Sequence, residues 1–243
     1  MENKVGTYEY RTDSYSLDFR GQLPLPALGN YLLHAATSHA TGRGFGFEDM
    51  QQRKATWVLS KLAIEIHHPA LLAGALRIHT WVERVERIFT FRCFEITTLA
   101  GDTIGYARSV WAAIDRDTRR PISLEGIGLS EFVVARDCPV DFSSPQRAEQ
   151  GTQGIPYTIK YSDLDINGHF NSIKYMESIL DLFDIEVYRT SSIARFEIIY
   201  QSEGWYGMTL MLHQKEMAAG EYAAAICNEG KPICRANVSF MAQ

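Results

Sequence analysis

The sequence predicts an α+β fold in which two similar units follow one another along the chain. Each half contains one stretch with apolar residues at helical spacing, followed by a run of strand-like segments. Residues 116–156 lie between the halves and are rich in proline and glycine, which is typical of a connector. We therefore expect two domains and a linker, with the bounds 1–135, 136–155 and 156–243.

A short internal repeat supports the division into two units. The segment Tyr15–Leu23 can be aligned with Ser162–Phe170. The aligned pairs are Asp18 with Asp165, Arg20 with Asn167, Gly21 with Gly168 and Gln22 with His169. Only the second segment therefore combines an acid, an amide and an imidazole.

In the first half, alternation of polar and aromatic residues predicts a strand at 6–19, and a 3.6-residue apolar period predicts a helix from Leu25 to about Thr41. The glycine-rich residues 42–46 come after this helix, so we interpret them as its termination and not as a phosphate loop, which would precede a helix. Ala100–Asp102 is typical of a hairpin turn. The remaining strands are predicted at 55–67, 76–85, 89–97 and 103–115.

The second half repeats this plan after the connector, in which a short ordered piece is expected near 129–135. A strand is predicted at 157–161 and an amphipathic helix at 171–183. Further strands are predicted at 193–201, 208–214, 221–228 and 233–241. A sheet that packs on its own helix buries the apolar faces of both elements.

Composition excludes several classes of protein. With 243 residues, 46% of them hydrophobic, the chain can bury a sizeable core. A net charge of −5 argues against nucleic-acid binding, which requires a basic face. The sequence has no run of about 18 apolar residues, so no membrane span is expected. Residues 1–6 lack the pattern of a secretory signal, and we expect a cytoplasmic protein.

Cysteine and histidine spacing gives no sign of a metal site. The four cysteines show no Cys-x-x-Cys spacing, and the seven histidines lack the i, i+4 spacing of a helical metal-binding pair. We expect reduced, packed thiols and neither a metal nor a cofactor.

Residues 161–175 are the strongest sign of a chemical function. Asp165, Asn167 and His169 alternate along the chain, and in an extended segment they would point to the same side. A helix is expected to begin at about Asn171, where unpaired N–H groups favour an anion. An acid, a proton carrier and an anion-binding helix start are the groups needed to hydrolyse an activated acyl group. The alternative is turn and N-cap chemistry alone, because Asp and Asn are common in both.

The segment Ser162–Tyr175 resembles the signature of the acyl-acyl-carrier-protein thioesterases, plant and bacterial enzymes that end fatty-acid elongation. Other segments resemble family landmarks in the expected order: Gly44–Gly46, Trp57–Ser60, Ile64–Ile66, Thr80–Trp81, Gly105–Trp111 and Thr118–Arg120. The resemblance extends along the whole chain. The chain is short, and in this it resembles the bacterial members more than the plant members. It implies a double hotdog architecture, in which two tandem antiparallel sheets each wrap a helix.

The resemblance also implies a catalytic set, which is Asp165, Asn167, His169 and Glu203. These residues would release a free fatty acid from acyl-carrier protein by carboxylate-assisted attack of water. Asp165 or Glu203 would activate the water, and His169 would pass a proton towards the leaving thiol. Asn167 would position the thioester or the water.

Two further expectations concern the surroundings of this set. Backbone N–H groups of residues 168–171 would face the developing oxyanion. Plant members have a cysteine directly after the glutamate that corresponds to Glu203, whereas Gly204 stands here. A covalent route through a cysteine at that position is therefore excluded.

An acyl chain requires an elongated apolar slot. The predicted lining is Leu28, Leu32, Ala35 and Trp57, each of which is equally consistent with plain core packing. Because acyl-carrier protein is acidic, a basic patch is expected to contact it. The predicted carrier-binding residues are Arg116, Arg119 and Arg120, and a second basic cluster is Arg43, Arg53 and Lys54. Coenzyme A phosphates would favour the same groups.

Three other functions fit the same fold, since fold alone does not assign function. They are an acyl-CoA thioesterase, a hydratase, and an acyl-binding protein without catalysis. The sequence does not predict an acyl chain-length preference, and the exposed sheet edges would allow a homodimer.

Overall fold

The computed structural model describes residues 4–242, which form two compact units divided between Asp141 and Phe142. Each unit contains antiparallel strands together with α-helices, which confirms the α+β prediction. The predicted domain bounds 1–135 and 156–243 stay a prediction. Within the described residues, no helix is long and apolar enough to cross a membrane.

The first unit contains two helices and five strands in its described part. In chain order they are β1 (Gly6–Tyr10), α1 (Leu25–Thr41), α2 (Phe47–Gln52), β2 (Ala55–Ile66), β3 (Leu76–Glu86), β4 (Phe89–Thr98) and β5 (Thr103–Asp115). The strand order is β1-β3-β4-β5-β2, and neighbouring strands are antiparallel. The predicted bounds of α1 and β5 are confirmed.

The second unit repeats this arrangement. In chain order its elements are β6 (Ile155–Thr158), α3 (Ser172–Leu180), α4 (Ile185–Thr190), β7 (Ser191–Tyr200), β8 (Thr209–Ala218), β9 (Glu221–Asn228) and β10 (Lys231–Ala242). The strand order is β7-β10-β9-β8-β6, again antiparallel throughout. Tight turns of two residues join β8 to β9 and β9 to β10, so local hairpins build most of this sheet.

Two strand predictions are wrong in extent. The strand predicted at 6–19 ends early, because a short 3-10 helix at Ser14–Ser16 follows β1. The strand predicted at 157–161 is shifted towards the N-terminus. After β6, the Asp163 carboxylate accepts the backbone N–H of Lys160 at 2.8 Å, which closes another short 3-10 helix.

Sequence periodicity missed α2 and α4, each of which has six residues and so less than two turns to show a period. Local hydrogen bonds start both helices. The Asp49 carboxylate accepts the N–H of Gly46 at 2.9 Å, and the Asp184 carboxylate accepts the N–H of Glu186 at 2.8 Å. Side-chain acceptors of this kind satisfy N–H groups that a helix start leaves unpaired.

Helix α1 carries one unusual polar residue on its buried face. Leu28, Leu32 and Ala35 are fully buried, and His39 follows them on the same stripe with no exposed surface. Arg92 of β4 donates from Nη1 to His39 Nδ1 at 3.1 Å, so the imidazole is neutral and its Nε2–H donates to the carbonyl of Lys4 at 3.1 Å. Burial, assisted by the charge of Arg92, lowers the pKa of His39 from 6.5 to about 3.

Acid is expected to destabilise the first unit through His39. Between pH 6.5 and 3 the unfolded chain binds a proton at this residue and the folded chain does not, so the free energy of unfolding decreases as the pH falls. From pH 7 to pH 5 the decrease attributable to His39 is about 2 kcal/mol. His39→Gln keeps a donor and an acceptor but does not titrate in this range, so urea unfolding should show a weaker pH dependence in this variant. Equal pH dependence in both proteins would contradict the assignment.

Candidate active site

The chain around Asp165 forms a tight turn and not the extended segment that the sequence predicted. The Asp165 N–H donates to the carbonyl of His169 at 2.8 Å, and the Gly168 N–H donates to the carbonyl of Asp165 at 3.0 Å. Asp165 Oδ1 accepts the N–H groups of Asn167 at 2.8 Å and His169 at 3.0 Å. Gly168 has a φ of 79°, which glycine adopts without a steric cost. The predicted alignment of three side chains on one strand face is therefore wrong.

The backbone N–H groups of residues 168–171 all donate within the protein. Their acceptors are the Asp165 carbonyl for Gly168, Asp165 Oδ1 for His169, the Gly204 carbonyl for Phe170 at 2.8 Å and the Asp163 carbonyl for Asn171 at 2.8 Å. The predicted oxyanion site at these groups is therefore wrong. Asn171 is instead the N-cap of α3, and its Oδ1 accepts the N–H of Ile173 at 2.8 Å.

The turn brings His169 next to Glu203, 34 residues further along the chain. His169 Nδ1 lies 3.4 Å from Glu203 Oε1, and the two side chains are 15% and 33% exposed. This separation is slightly longer than a formed hydrogen bond of about 2.7–3.2 Å. Catalytic contacts are often loose without substrate and tighten in the complex. The pair is thus partly shielded from water but remains accessible to a ligand.

Trp205 packs against His169, a contact that the sequence interpretation did not predict. Its ring lies edge-on to the His169 imidazole, with centroids 4.3 Å apart and planes at 82°. The backbones of the two residues also form an antiparallel bridge. Edge-to-face packing restricts rotation of the imidazole and so keeps Nδ1 directed towards Glu203.

Two tyrosines fix the segment that carries Glu203. Tyr175 on α3 donates to the carbonyl of Ser202 at 3.1 Å, and Tyr200 at the end of β7 donates to the carbonyl of Ser172 at 2.9 Å. Tyr175 is 2% exposed, consistent with the packed core aromatic that the sequence predicted. The two hydrogen bonds join the start of α3 to the chain after β7, so the positions of His169 and Glu203 are coupled by rigid elements.

The first unit contains the same turn around Asp18. The Asp18 N–H donates to the carbonyl of Gln22 at 2.8 Å, and Asp18 Oδ1 accepts the N–H groups of Arg20 at 2.8 Å and Gln22 at 3.0 Å. Gly21 has a φ of 73° and donates to the Asp18 carbonyl at 2.9 Å. These four hydrogen bonds match those around Asp165 one by one. An aspartate and a glycine therefore suffice for the turn, whatever chemistry it carries.

The same match identifies what differs between the units. The Leu23 N–H donates to the carbonyl of Leu72 at 2.9 Å, just as Phe170 donates to Gly204. The equivalents are therefore Gln22 for His169, Leu71 for Glu203 and Ala73 for Trp205. None of these three can act as the imidazole, the carboxylate or the aromatic ring of the second unit. Shared residues build the turn, and the residues that differ are those of the candidate site.

None of the four cysteines lies in the segments 163–175 and 200–205 that form this site. All four cysteines are buried and reduced: Cys93, Cys138, Cys227 and Cys234. Burial raises the pKa of Cys234 far above its usual range, so its thiol stays protonated. A Cβ added at Gly204 would lie 2.7 Å from the Cδ1 of Ile159, so this side chain would have to shift to admit a larger residue.

The predicted acyl-slot residues lie in the first unit. Leu28, Leu32 and Ala35 are fully buried on α1, and Trp57 on β2 is partly buried, with its indole N–H donating to the carbonyl of Phe45 at 2.9 Å. Their role in acyl binding stays a prediction. Arg116, Arg119 and Arg120 are exposed at the end of β5, and their role in carrier binding also stays a prediction.

Comparison with known sequences gives a consistent result. The family models for the acyl-ACP thioesterase N-terminal domain and C-terminal domain match residues 3–126 and 146–242. Oleoyl-acyl carrier protein thioesterase 2 from Arabidopsis thaliana is 26% identical over 211 residues, which is 78% of this chain and 57% of that protein. A palmitoyl-acyl carrier protein thioesterase from Gossypium hirsutum is 25% identical over 220 residues, 84% of this chain and 53% of that protein. The chain thus spans a little over half the length of these relatives.

Solved structures confirm the predicted fold. An acyl-ACP thioesterase from Bacteroides thetaiotaomicron is 40% identical with a TM-score of 0.91, and the match covers 99% of each chain. The 12:0-ACP thioesterase from Umbellularia californica has a TM-score of 0.88 at 18% identity, over 100% of this chain and 99% of that one. The second similarity supports the fold alone.

Proposed function

Because the chain belongs to the acyl-ACP thioesterase family, we propose that it hydrolyses the thioester of a fatty acyl group on acyl-carrier protein and releases the free fatty acid. The observation that carries this proposal is the pairing of His169 with Glu203 at 3.4 Å. The repeated turn of the first unit has Gln22 and Leu71 at the equivalent places, so we assign the reaction to the second unit.

Carboxylate-assisted attack of water fits this geometry. When the contact tightens around substrate so that Nδ1–H of His169 donates to Glu203, Nε2 can accept a proton. A water oxygen adds to the thioester carbonyl carbon while its proton moves to Nε2, and the Glu203 carboxylate stabilises the resulting imidazolium. The C–S bond then breaks and the imidazolium returns the proton to the leaving sulfur. The products are a carboxylic acid and a thiol.

The two other residues of the predicted catalytic set receive different roles. Asp165 holds the turn, since its Oδ1 already accepts two backbone N–H groups, and Asp18 does the same without a neighbouring imidazole. Asn167 lies at the exposed tip of the turn, where its amide can position the thioester or the water. Glu203 is therefore the better candidate for the carboxylate that assists water.

The remaining parts of the proposal follow from this activity. The acyl chain would occupy a slot lined by Leu28, Leu32, Ala35 and Trp57 in the first unit. The partner would be an acyl-carrier protein that meets Arg116, Arg119 and Arg120, and the reaction would take place in the cytoplasm.

Thiol release by the wild-type protein tests the proposal directly. We expect higher kcat/KM on acyl-carrier-protein thioesters than on coenzyme A thioesters of the same chain length. Hydrolysis in ¹⁸O-labelled water should place a single ¹⁸O in the product acid, since one water molecule attacks in each turnover. A preference for coenzyme A thioesters would indicate an acyl-CoA thioesterase. Retention of the acyl thioester without any thiol release would indicate a binding protein.

A further inference from the structure

A chain segment that follows the last strand of the first unit crosses one face of its sheet. Trp81 of β3 pairs with Cys93 of β4, and Cys93 pairs with Arg108 of β5. Residues paired directly across antiparallel strands project from the same face, so these three side chains form one row. The Trp81 indole N–H donates to the carbonyl of Arg136 at 3.0 Å, and Arg108 Nη1 donates to the carbonyl of Val140 at 3.2 Å. The chain from Arg136 to Val140 therefore follows the row, and we call it the crossing segment.

The crossing segment brings a second thiol to the middle of this row. Cys138 lies midway between the two anchored carbonyl groups, and Cys93 is the middle member of the row. A hydrogen bond joins the two thiols, and Cys138 Sγ also donates to the carbonyl of Ala107 at 3.6 Å. Cys93 is fully buried and Cys138 is 9% exposed. Two cysteines 45 positions apart in the sequence are thus neighbours in the fold.

The two thiols differ in reactivity. The hydrogen bond from Cys93 is the main cause of a lowered pKa of Cys138, and a hydrogen bond from the Val140 N–H acts in the same direction. The hydrogen bond to Cys138, together with burial, raises the pKa of Cys93. Because the thiolate is the nucleophilic form of cysteine, Cys138 is the thiol that reacts first. Asp137 and Pro139 on either side of it are exposed, so Cys138 lies just beneath the surface.

We propose that Cys93 and Cys138 form a redox-active pair, which hydrogen peroxide converts to a disulfide. The Cys138 thiolate attacks one peroxide oxygen, the O–O bond breaks, and the departing oxygen takes up protons and leaves as water. The product at Cys138 is a sulfenic acid. The Cys93 sulfur then attacks the Cys138 sulfur, the S–O bond breaks, and the hydroxyl leaves as water with the Cys93 proton. The two sulfurs lose two electrons, which the peroxide gains.

The disulfide would attach the crossing segment to β4 by a covalent bond. In the reduced protein the segment is held by the hydrogen bonds to Arg136 and Val140 and by the ion pair between Arg136 and Glu95 at 2.8 Å. A crosslink that closes a long loop restricts the unfolded chain and so stabilises the folded one. Oxidation would therefore fix this segment to the sheet, and a thiol reductant would release it.

The two other cysteines provide an internal control. Cys234 of β10 pairs with Ile226 of β9, so these two side chains share one face of the second sheet. Cys227 directly follows Ile226 in β9 and therefore projects from the opposite face. Cys227 and Cys234 lie on adjacent strands but cannot join without a rearrangement of the sheet.

Oxidation of the wild-type protein tests the pairing without any substitution. After treatment with equimolar hydrogen peroxide, we expect two of the four thiols to be lost and peptide mapping to find Cys93 linked to Cys138. Tm should rise by about 5–10 °C, and dithiothreitol should restore all four thiols and the original Tm. Retention of all four thiols, or a disulfide that contains Cys227 or Cys234, would overturn the proposal.

Two serine variants test the order of the steps. Cys93→Ser should stop the reaction at a sulfenic acid on Cys138, which dimedone labels, whereas the wild type should not retain the label. Cys227→Ser is the matched control and should form the same disulfide as the wild type. A sulfenic acid at Cys138 that persists in the wild type would show that Cys93 does not resolve it, and would contradict the proposed pair.

Discussion

Glu203→Gln is expected to lower kcat/KM on acyl thioesters by about 10²–10⁴-fold, the usual contribution of general acid–base assistance. The amide is nearly the same size as the carboxylate but cannot stabilise the imidazolium that forms at His169. His169→Ala should cause a loss of the same order. Because the two residues act as one unit, the double variant should be little worse than either single variant.

The first unit provides the control for this experiment. Gln22→Ala removes a side chain from the equivalent turn position and should leave kcat/KM unchanged. Thermal unfolding of each variant shows whether a loss of activity is caused by a loss of folded protein. Wild-type rates in Glu203→Gln would show that another group assists the water, and the proposed mechanism would then be wrong.

Asp165 is expected to behave as a positioning residue and not as the base. In Asp165→Asn the amide oxygen can still accept the N–H groups of Asn167 and His169, so the turn persists and kcat/KM should stay within about tenfold of the wild type. Asp165→Ala leaves both N–H groups without this acceptor. It should lower the free energy of unfolding by about 1–3 kcal/mol and reduce activity further by releasing His169.

Asp18→Ala is the corresponding control, because it removes the same two backbone hydrogen bonds from the turn of the first unit, together with the ion pair between Asp18 and Arg20. We expect a similar loss of stability, measured by urea unfolding, together with nearly full activity. If Asp165→Asn were as inactive as Glu203→Gln, the Asp165 carboxylate would have to take part in the reaction itself.

Long periodic elements and the hairpin turn at Ala100–Asp102 could be predicted from the sequence, whereas the turn at Asp165 could not. The bounds of α1 and β5 follow from apolar periods that extend over 17 and 13 residues. The segment from Asp165 to His169 also has a period of two, which favoured an extended chain. Instead, the Asp165 side-chain acceptor and Gly168, which has a positive φ, reverse the direction of the chain. Such turn chemistry overrides a short alternation of residue types.

The membership of the candidate site stays a prediction, and its arrangement could not be predicted from the sequence. The family resemblance identified His169 and Glu203 as candidate site residues. Their contact depends on the hydrogen bonds of Tyr175 and Tyr200, which join residues 27 and 28 positions apart in the chain. The packing of Trp205 on His169 likewise arises from a bridge between distant backbone segments.

Trp205 also allows the candidate site to be monitored by tryptophan fluorescence. It is 46% exposed, whereas Trp81 is fully buried and Trp57 and Trp111 are partly buried. Its indole touches the imidazole that would receive the water proton. Imidazolium quenches indole fluorescence more strongly than neutral imidazole, and an arriving acyl thioester would displace water from the exposed side of the ring. Under the proposed mechanism, Trp205 would therefore report the arrival of an acyl thioester without an attached dye.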